Sequence, residues 1–157
     1  MQEIERKYRV VSEDFKDEAY EKYTIQQGFL STHPERTVRV RITGTKAFLT
    51  IKGKSSKSGL SRFEWEKEID ANEAQNLLNL CEPGIIKKER YLVKAEDFVF
   101  EIDEFHEDNK GLIIAEIELK KETDSFPKPY WLGKEVTGET KYYNSQLSKS
   151  PYKHWEE

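Results

Sequence analysis

The stretch Val38-Arg39-Val40-Arg41-Ile42 alternates apolar and cationic residues one by one. Such alternation with a period of two predicts a β-strand that has one apolar face and one charged face. The charged face carries Arg39 and Arg41 at positions i and i+2. Like charges at this spacing repel each other unless groups of opposite sign lie on neighbouring strands. The stretch therefore predicts a sheet in which these arginines meet carboxylates.

The same sorting of charge onto one face recurs along the chain. Six further strands show it, with these residues on the charged face: Glu3, Glu5 and Lys7; Lys52; Glu64 and Glu66; Lys88 and Arg90; Glu101 and Asp103; Glu116 and Glu118. With one more strand over 25–30, the pattern predicts about eight antiparallel strands. Eight strands can close around a small ligand. We therefore expect an α+β, mainly β fold: a closed eight-stranded antiparallel β-barrel with a charged interior, covered outside by a few helices.

Composition narrows the class of protein. The chain has 157 residues, of which 36% are charged, with 26 Lys and Arg against 30 Asp and Glu and a net charge of −4. This length predicts a single domain over 1–157. The mild acidity argues against a nucleic-acid partner, and the lack of a long apolar run argues against a membrane partner. The charged start and the lone Cys81 predict a cytoplasmic location.

Three helices are expected between the strands. One would run from Ser12 to about Tyr23, a second would start after Asp70 as its N-cap, and a third would cover 143–149. Phe63 and Trp65 lie opposite the carboxylates of their strand, so we expect them to pack beneath a helix.

The chemistry of the two charge types points to one ligand class. Paired carboxylates offer hard oxygen donors to Mg²⁺ or Mn²⁺. Several Arg and Lys side chains that converge on one volume suit phosphate oxygens. A polyphosphate with a bound divalent cation would neutralise both the carboxylates and the cationic side chains of the barrel interior.

The motifs resemble a known family. They are Glu3-Ile4-Glu5-Arg6-Lys7, Gln27-Gly28-Phe29-Leu30, Val38-Arg39-Val40-Arg41, Leu49-Thr50-Ile51-Lys52, Arg62-Phe63-Glu64-Trp65-Glu66, Lys88-Glu89-Arg90, Ile102-Asp103, Glu116-Ile117-Glu118, Trp131-Leu132-Gly133-Lys134-Glu135-Val136-Thr137 and Lys141-Tyr142-Tyr143-Asn144. In this order they resemble the CYTH family, also called triphosphate tunnel metalloenzymes. The resemblance covers nearly the whole chain.

The resemblance implies an eight-stranded tunnel that hydrolyses or rearranges triphosphates with Mg²⁺ or Mn²⁺. The resemblance implies that the metal ligands are Glu3, Glu5, Glu64, Asp103, Glu116 and Glu118. It gives these to the phosphates: Lys7, Arg39, Arg41, Lys52, Arg62, Lys88, Arg90 and Lys141, with Arg62 and Lys141 near the mouth. Catalytic roles fall to Glu5, Lys7, Glu66 and Lys88.

One residue departs from the family pattern. Members that prefer inorganic triphosphate often carry Tyr in the Q-G-Y-L segment, where it is thought to pair with the lysine of E-x-E-x-K. This chain has Phe29 at that place. A mechanism based on that pair is not expected here, so another group must orient the water or the leaving oxygen.

The leading interpretation is a divalent-metal-dependent hydrolase that converts inorganic triphosphate to pyrophosphate and phosphate. The small anionic triphosphate would be its partner. The alternatives are a class IV type adenylate cyclase, a thiamine or nucleoside triphosphatase, and a module that binds polyphosphate without turnover. The oligomeric state, including a homodimer, is left open by the sequence.

Overall fold

The computed structural model describes residues 2–156. These residues form nine strands: β1 (Gln2–Val10), β2 (Glu21–Ser31), β3 (Arg36–Thr43), β4 (Lys46–Ser55), β5 (Ser61–Ile69), β6 (Ile86–Ala95), β7 (Phe98–Phe105), β8 (Ile113–Glu118) and β9 (Leu132–Glu135). They also form three α-helices: α1 (Phe15–Glu18), α2 (Ala71–Leu78) and α3 (Asn144–Leu147). Short 3₁₀ turns cover Glu107–Asn109, Thr140–Tyr142 and Tyr152–His154.

The sheet closes on itself. Its strand order is β5-β4-β3-β2-β6-β7-β8-β1, and β1 then pairs with β5, so eight strands form a ring. The closing pair places Glu3 opposite Arg62. All neighbouring strands run antiparallel, and β9 adds to β1 at Tyr8 and Val10. The predicted closed eight-stranded barrel is confirmed, and the short ninth strand was not predicted.

The apolar faces lie outside the ring, as the alternation predicted. Phe100 and Ile102 alternate with the interior residues of β7 and are fully buried in the main core cluster. Phe15 of α1 and Trp131 cover this cluster, and the Trp131 ring lies edge-on to those of Phe15 and Phe100. Burial of these large side chains against the outer face of the sheet is a major driving force for the fold.

Helix α2 covers a second apolar face. It packs on β3 and β4, where Ala74 and Leu78 meet Val40 and Ala47. Asp70 is its N-cap, because the Asp70 carboxylate accepts from the backbone N–H groups of residues 72 and 73. The predicted N-cap is therefore confirmed.

The interior is not charged along its whole length. At one end the inward positions of β6, β7 and β8 become apolar at Ile86, Phe105 and Ile114. These residues form a buried cluster with Tyr142 and Leu147. Both belong to the C-terminal segment, which comprises residues 136–156 after β9. The C-terminal segment therefore packs against the apolar end of the barrel, beside the charged positions.

Two local predictions were wrong. The expected helix over 12–23 is only the single turn of α1, and β2 begins at Glu21, because the backbone of 21–27 pairs with β6. Phe63 and Trp65 are 50% and 39% exposed, since α2 packs on β2, β3 and β4 instead of β5. No helix within residues 2–156 is long and apolar enough to cross a membrane.

Candidate active site

The barrel encloses a cavity of about 260 Å³ with a charged lining. Every barrel strand contributes to that lining, because inward side chains recur at every second residue. The charged lining residues are Glu3, Glu5, Lys7, Arg39, Arg41, Lys52, Arg62, Glu64, Glu66, Lys88, Arg90, Glu101, Glu116 and Glu118. Of the candidate site residues predicted from the sequence, the structure brings all but Asp103 and Lys141 to this surface.

One wall of the cavity is acidic. Glu5 on β1 lies opposite Glu118 on β8, and Lys7 lies opposite Glu116. Burial, together with repulsion from Glu116 and Glu3, raises the pKa of Glu5 well above its ordinary value. Burial also raises the pKa values of Glu3 and Glu118. These carboxylates are crowded and only partly neutralised, which is the donor chemistry that suits a divalent cation.

Glu116 differs from its acidic neighbours. Burial acts to raise its pKa, but attraction to Lys7 and Arg90 outweighs burial and lowers the pKa of Glu116 below its usual range. The carboxylate therefore stays ionised beside Glu5 at neutral pH. Glu116 thus lies between the two walls, where it repels Glu5 and attracts Lys7 and Arg90.

The opposite wall is cationic. Burial and repulsion from Arg39 and Arg90 lower the pKa of Arg41 to about 9. Burial lowers the pKa of Lys88 to about 7, although Asp103 acts to raise it. The Nε of Arg39 is buried and has no hydrogen-bond partner among the described residues. Crowded cations with a free buried donor fit an anionic ligand such as a phosphate chain.

Asp103 lies behind the cationic wall. Its side chain is 1% exposed, and it accepts hydrogen bonds from Arg90 Nε at 2.7 Å, Arg90 Nη2 at 2.9 Å and Lys88 Nζ at 2.7 Å. All of these bonds fix the two cations in place. Asp103 therefore orients Lys88 and Arg90 and does not line the cavity, where a role as metal ligand was predicted for it.

Lys141 lies outside the cavity. Its Nζ is 5.2 Å from the centre of the Tyr142 ring and 4.5 Å from that of Trp155. The side chain is exposed. The predicted contact between Lys141 and phosphate at the tunnel mouth is not supported by this position.

Lys52 on β4 links acidic residues of β1 and β5. Lys52 Nζ lies 2.9 Å from Glu3 Oε1 and 3.5 Å from Glu64 Oε2. On the same strand, the Thr50 hydroxyl donates to Glu66 Oε1 at 2.6 Å and accepts from Arg39 Nη2 at 3.1 Å. Thr50 therefore connects Glu66 to the cationic wall.

Uncharged polar residues also belong to the site, and sequence reasoning assigned them no role. Gln27 is fully buried and accepts from Arg41 Nε at 2.9 Å. Thr137, Tyr143 and Asn144 line the cavity from the C-terminal segment. The available signals were Gln27 at the start of the Gln27-Gly28-Phe29-Leu30 motif and Asn144 at the end of the last motif. Neither carries a charge, so the sorting by sign did not select them.

A tight turn borders the cavity between β4 and β5. Only residues 56–60 connect the two strands, because β4 continues to Ser55 and β5 begins at Ser61. Gly59 and Gly138 line the cavity, and a Cβ on Gly59 would lie 2.3 Å from the Cα of Gly138. The turn therefore packs against the C-terminal segment in a contact that leaves no room for a side chain.

A second space of about 290 Å³ adjoins the first. The two share the side chains of Arg41, Glu66, Arg90 and Glu101. Beyond these, Tyr23, Lys46 and Phe48 line the second space. The charged interior thus adjoins a second space whose lining includes two aromatic rings beside charged side chains.

Another group of metal-type ligand atoms lies outside the barrel. Oxygen and nitrogen atoms of Glu89, Glu104 and His106 are within 4.8 Å of one another. The two carboxylates already pair with Lys22 and Lys16, and His106 is exposed. The crowded acidic wall inside the barrel is therefore the better place for a divalent cation.

Comparison with known proteins agrees with this geometry. Residues 1–151 match the model of the CYTH domain family. The chain is 45% identical over 156 residues to an inorganic triphosphatase of Acetivibrio thermocellus, and the match covers 99% of this chain and 98% of that protein.

Two further similarities extend this agreement. An inorganic triphosphatase of Nitrosomonas europaea is 36% identical over 154 residues, covering 96% of this chain and 99% of that protein. A crystal structure of an inorganic triphosphatase aligns with a TM-score of 0.67 at 32% identity, covering 93% of each chain. The charged barrel, the order of its motifs and these matches lead to one conclusion: the chain belongs to the CYTH domain family.

Proposed function

We propose that this protein hydrolyses inorganic triphosphate to pyrophosphate and phosphate with the help of a divalent cation. The observation that carries the proposal is the pair of opposed walls in one buried cavity. Glu3, Glu5 and Glu118 crowd on one side, and Arg39 presents an unpaired buried donor on the other. A phosphate chain with a bound cation neutralises both walls at once.

The relatives support the choice of substrate. Two proteins that match nearly the full length of this chain, at 45% and 36% identity, are named inorganic triphosphatases. The cavity lining agrees with a ligand that is charged throughout, since Phe29 is its one large apolar side chain apart from the Tyr143 ring. An inorganic triphosphate is such a ligand.

The cationic wall would bind the phosphate chain. Arg39 and Arg41 come from β3, and Lys88 and Arg90 come from β6. Guanidinium groups form paired hydrogen bonds with phosphate oxygens, and lysines act as point charges. Phosphoryl transfer gains most from positioning and from neutralising charge on the transferred group. We assign these four side chains, with Lys7 and Lys52, to substrate binding.

The acidic wall would hold the cation. We assign Glu3, Glu5 and Glu118 as ligands, with Glu64 and Glu116 beside them, and Mg²⁺ or Mn²⁺ as the ion, because these ions prefer hard oxygen donors. A bound divalent cation supplies charge neutralisation at phosphate oxygens. Side chains of the protein bind the phosphate chain and orient the attacking water.

Glu66 is the proposed group that orients the attacking water. A hydrogen bond from the Thr50 hydroxyl group and an ion pair with Arg39 Nη2 at 3.5 Å hold its carboxylate beside the cationic wall. A carboxylate fixed in this way can accept a proton from water as it attacks the terminal phosphorus. Phe29 lacks a hydroxyl group, so it takes no part in the proton transfer.

A nucleoside triphosphate is the second candidate substrate. The space lined by Tyr23 and Phe48 adjoins the charged cavity, and aromatic rings can stack on a nucleobase. The two proposals share the phosphate-binding wall and differ in the use of this second space. We further propose that the protein acts as one unit over 1–157 in the cytoplasm.

A product assay tests the proposal. Purified protein is incubated separately with tripolyphosphate, ATP and thiamine triphosphate, with Mg²⁺ or Mn²⁺ and with or without a chelator, and the products are resolved by ion chromatography. We expect equal amounts of phosphate and pyrophosphate from tripolyphosphate, and no product with the chelator. Cyclic AMP from ATP, or metal-dependent binding without any product, would contradict the proposal.

A further inference from the structure

A chain of hydrogen bonds connects the C-terminal segment to the cationic wall. The Oδ1 of Asn144 accepts from Lys88 Nζ at 3.0 Å and from Gln27 Nε2 at 2.9 Å. Gln27 Oε1 in turn accepts from Arg41 Nε at 2.9 Å. Lys88 and Gln27 are 1% and 0% exposed, so these bonds lie away from bulk solvent. Asn144 therefore lines the cavity and is hydrogen-bonded to Lys88 of the cationic wall.

The two cations fix the orientation of both amides. Arg41 can only donate, and Lys88 donates to both Asp103 and Asn144, so an oxygen atom faces each of them. Gln27 therefore turns its oxygen to Arg41 and its nitrogen to Asn144, and Asn144 turns its oxygen to both Lys88 and Gln27. An inverted amide at either residue would set two donors against each other. The Nδ2 group of Asn144 is therefore the last group in this series of hydrogen bonds.

That group is available to a ligand. Asn144 lines the cavity, and its Nδ2 has no hydrogen-bond partner among the described residues. An amide nitrogen carries two donor hydrogens. Its position beside Lys88 places those donors within the cationic wall, where an anionic oxygen is the expected acceptor.

We propose that Asn144 contacts the substrate by donating from Nδ2 to a phosphate oxygen of the bound triphosphate. This inference rests on the proposed function, because it takes a triphosphate as the ligand. It adds a neutral donor from the C-terminal segment to a binding surface that otherwise consists of cations. The apolar contacts of Leu147 and Tyr142 with the end of the barrel hold that segment in place.

A structural role for Asn144 makes a different prediction from a substrate contact. Asn144→Asp keeps an oxygen for Lys88 and Gln27 and so preserves the inner hydrogen bonds. It replaces the outer donor with a carboxylate oxygen, which repels phosphate. Asn144→Ala removes both the acceptor and the donor. A substrate contact requires that both variants lose affinity, and the response of the Nδ2 signal of Asn144 to bound ligand separates a lost contact from repulsion alone.

The test measures binding and turnover in parallel. Calorimetry gives the affinity for tripolyphosphate in the presence of a chelator, and phosphate release with Mg²⁺ gives kcat and KM. Asn76→Asp, an exposed position on α2, is the matched control for the same chemical change. We expect Asn144→Asp to lower the affinity about tenfold or more, with an unchanged melting temperature, because a hydrogen bond to a charged group is lost. An affinity within about twofold of that of Asn76→Asp would overturn the inference.

Nuclear magnetic resonance observes the contact without a change in charge at Asn144. The side-chain amide signal of Asn144 is assigned by its absence in Asn144→Asp, and tripolyphosphate is then added to the wild-type protein. We expect a downfield shift of the Nδ2 proton, and an unmoved signal at saturation would contradict the contact. A wild-type protein that binds and cleaves triphosphate with that signal unmoved overturns this inference alone. A wild-type protein that binds no triphosphate overturns the proposed function as well.

Discussion

The Nζ of Lys7 lies 4.9 Å from the centre of the Tyr143 ring. Phe29 lines the same cavity without a hydroxyl group, and the ring that contacts Lys7 belongs to Tyr143 of the C-terminal segment. A ring face attracts a cation without requiring a hydroxyl group. The contact therefore helps to hold the Lys7 ammonium at the lining of the cavity.

Two substitutions at Tyr143 separate the ring from its hydroxyl group. We expect Tyr143→Phe to retain near wild-type turnover, and Tyr143→Leu to raise KM roughly threefold to thirtyfold, the range of a partly buried cation–π contact. Steady-state phosphate release from tripolyphosphate measures both. Equal damage in the two variants would show that the hydroxyl group, not the ring, is what the reaction needs.

Glu5→Gln should stabilise the metal-free protein while abolishing turnover. Burial and the nearby Glu116 and Glu3 raise the pKa of Glu5 above its ordinary value of 4.5. A raised carboxyl pKa costs stability only above about pH 4.5, where the unfolded chain has lost the proton. The gain in melting temperature from Gln should therefore grow as the pH rises from 4.5 toward neutrality. Thermal unfolding in chelator measures it, and a lower melting temperature at every pH would argue against crowding of carboxylates.

Asp103→Asn should destabilise the fold by about 3 kcal/mol or more, since it leaves Lys88 and Arg90 buried without their counter-charge. Asp108→Asn is the matched control, because Asp108 pairs with Lys153 at the surface. Its loss should cost under about 1 kcal/mol. Urea unfolding compares the two variants.

The pH dependence of the Asp103 variant follows from the same contacts. Burial acts to raise the pKa of Asp103, but Arg90 and Lys88 outweigh it and lower that pKa below the ordinary 3.8. The stabilisation is present above pH 3.8 and is lost as the pH falls through the lowered value. The gap between wild type and Asp103→Asn should therefore narrow in strong acid. A constant gap would mean that the ion pairs do not account for it.

Gly59→Ala tests the contact at the edge of the cavity. Gly59 has φ of +77° and lies against Gly138, whereas Gly44 has φ of +60° and open space around it. Both substitutions should cost about 1 kcal/mol or more from backbone strain. Only Gly59→Ala should also raise KM for tripolyphosphate, because the turn must move away from Gly138. An equal KM in the two variants would remove the turn from the binding surface.

Much of the barrel was predictable because charge sorting is a local property. The spacing of Arg39 and Arg41 identifies the charged face of β3 from the sequence of that strand alone. The same holds for Glu64 and Glu66 on β5. Alternation does not report what covers the other face. Trp65 was therefore placed under a helix that instead packs on β2, β3 and β4.

Tertiary contacts decided the rest. Asp103 carries the right charge on the right face, but Arg90 and Lys88 engage both of its oxygens behind the lining. Lys141 stands next to motif residues in the sequence, yet its side chain lies on Trp155 outside the barrel. Neutral groups such as Asn144 show their role only when Lys88 and Gln27 are seen around them.

The central claim is that one cavity binds cation and triphosphate together. Calorimetry of Mn²⁺ binding, with and without a non-hydrolysable imido analogue of tripolyphosphate, tests it most directly. Thermodynamic linkage requires each ligand to raise the affinity of the other by the same factor. We predict a mutual gain of about tenfold or more, lost in Glu5→Gln. Affinities of the wild-type protein that are independent of each other would contradict the shared site.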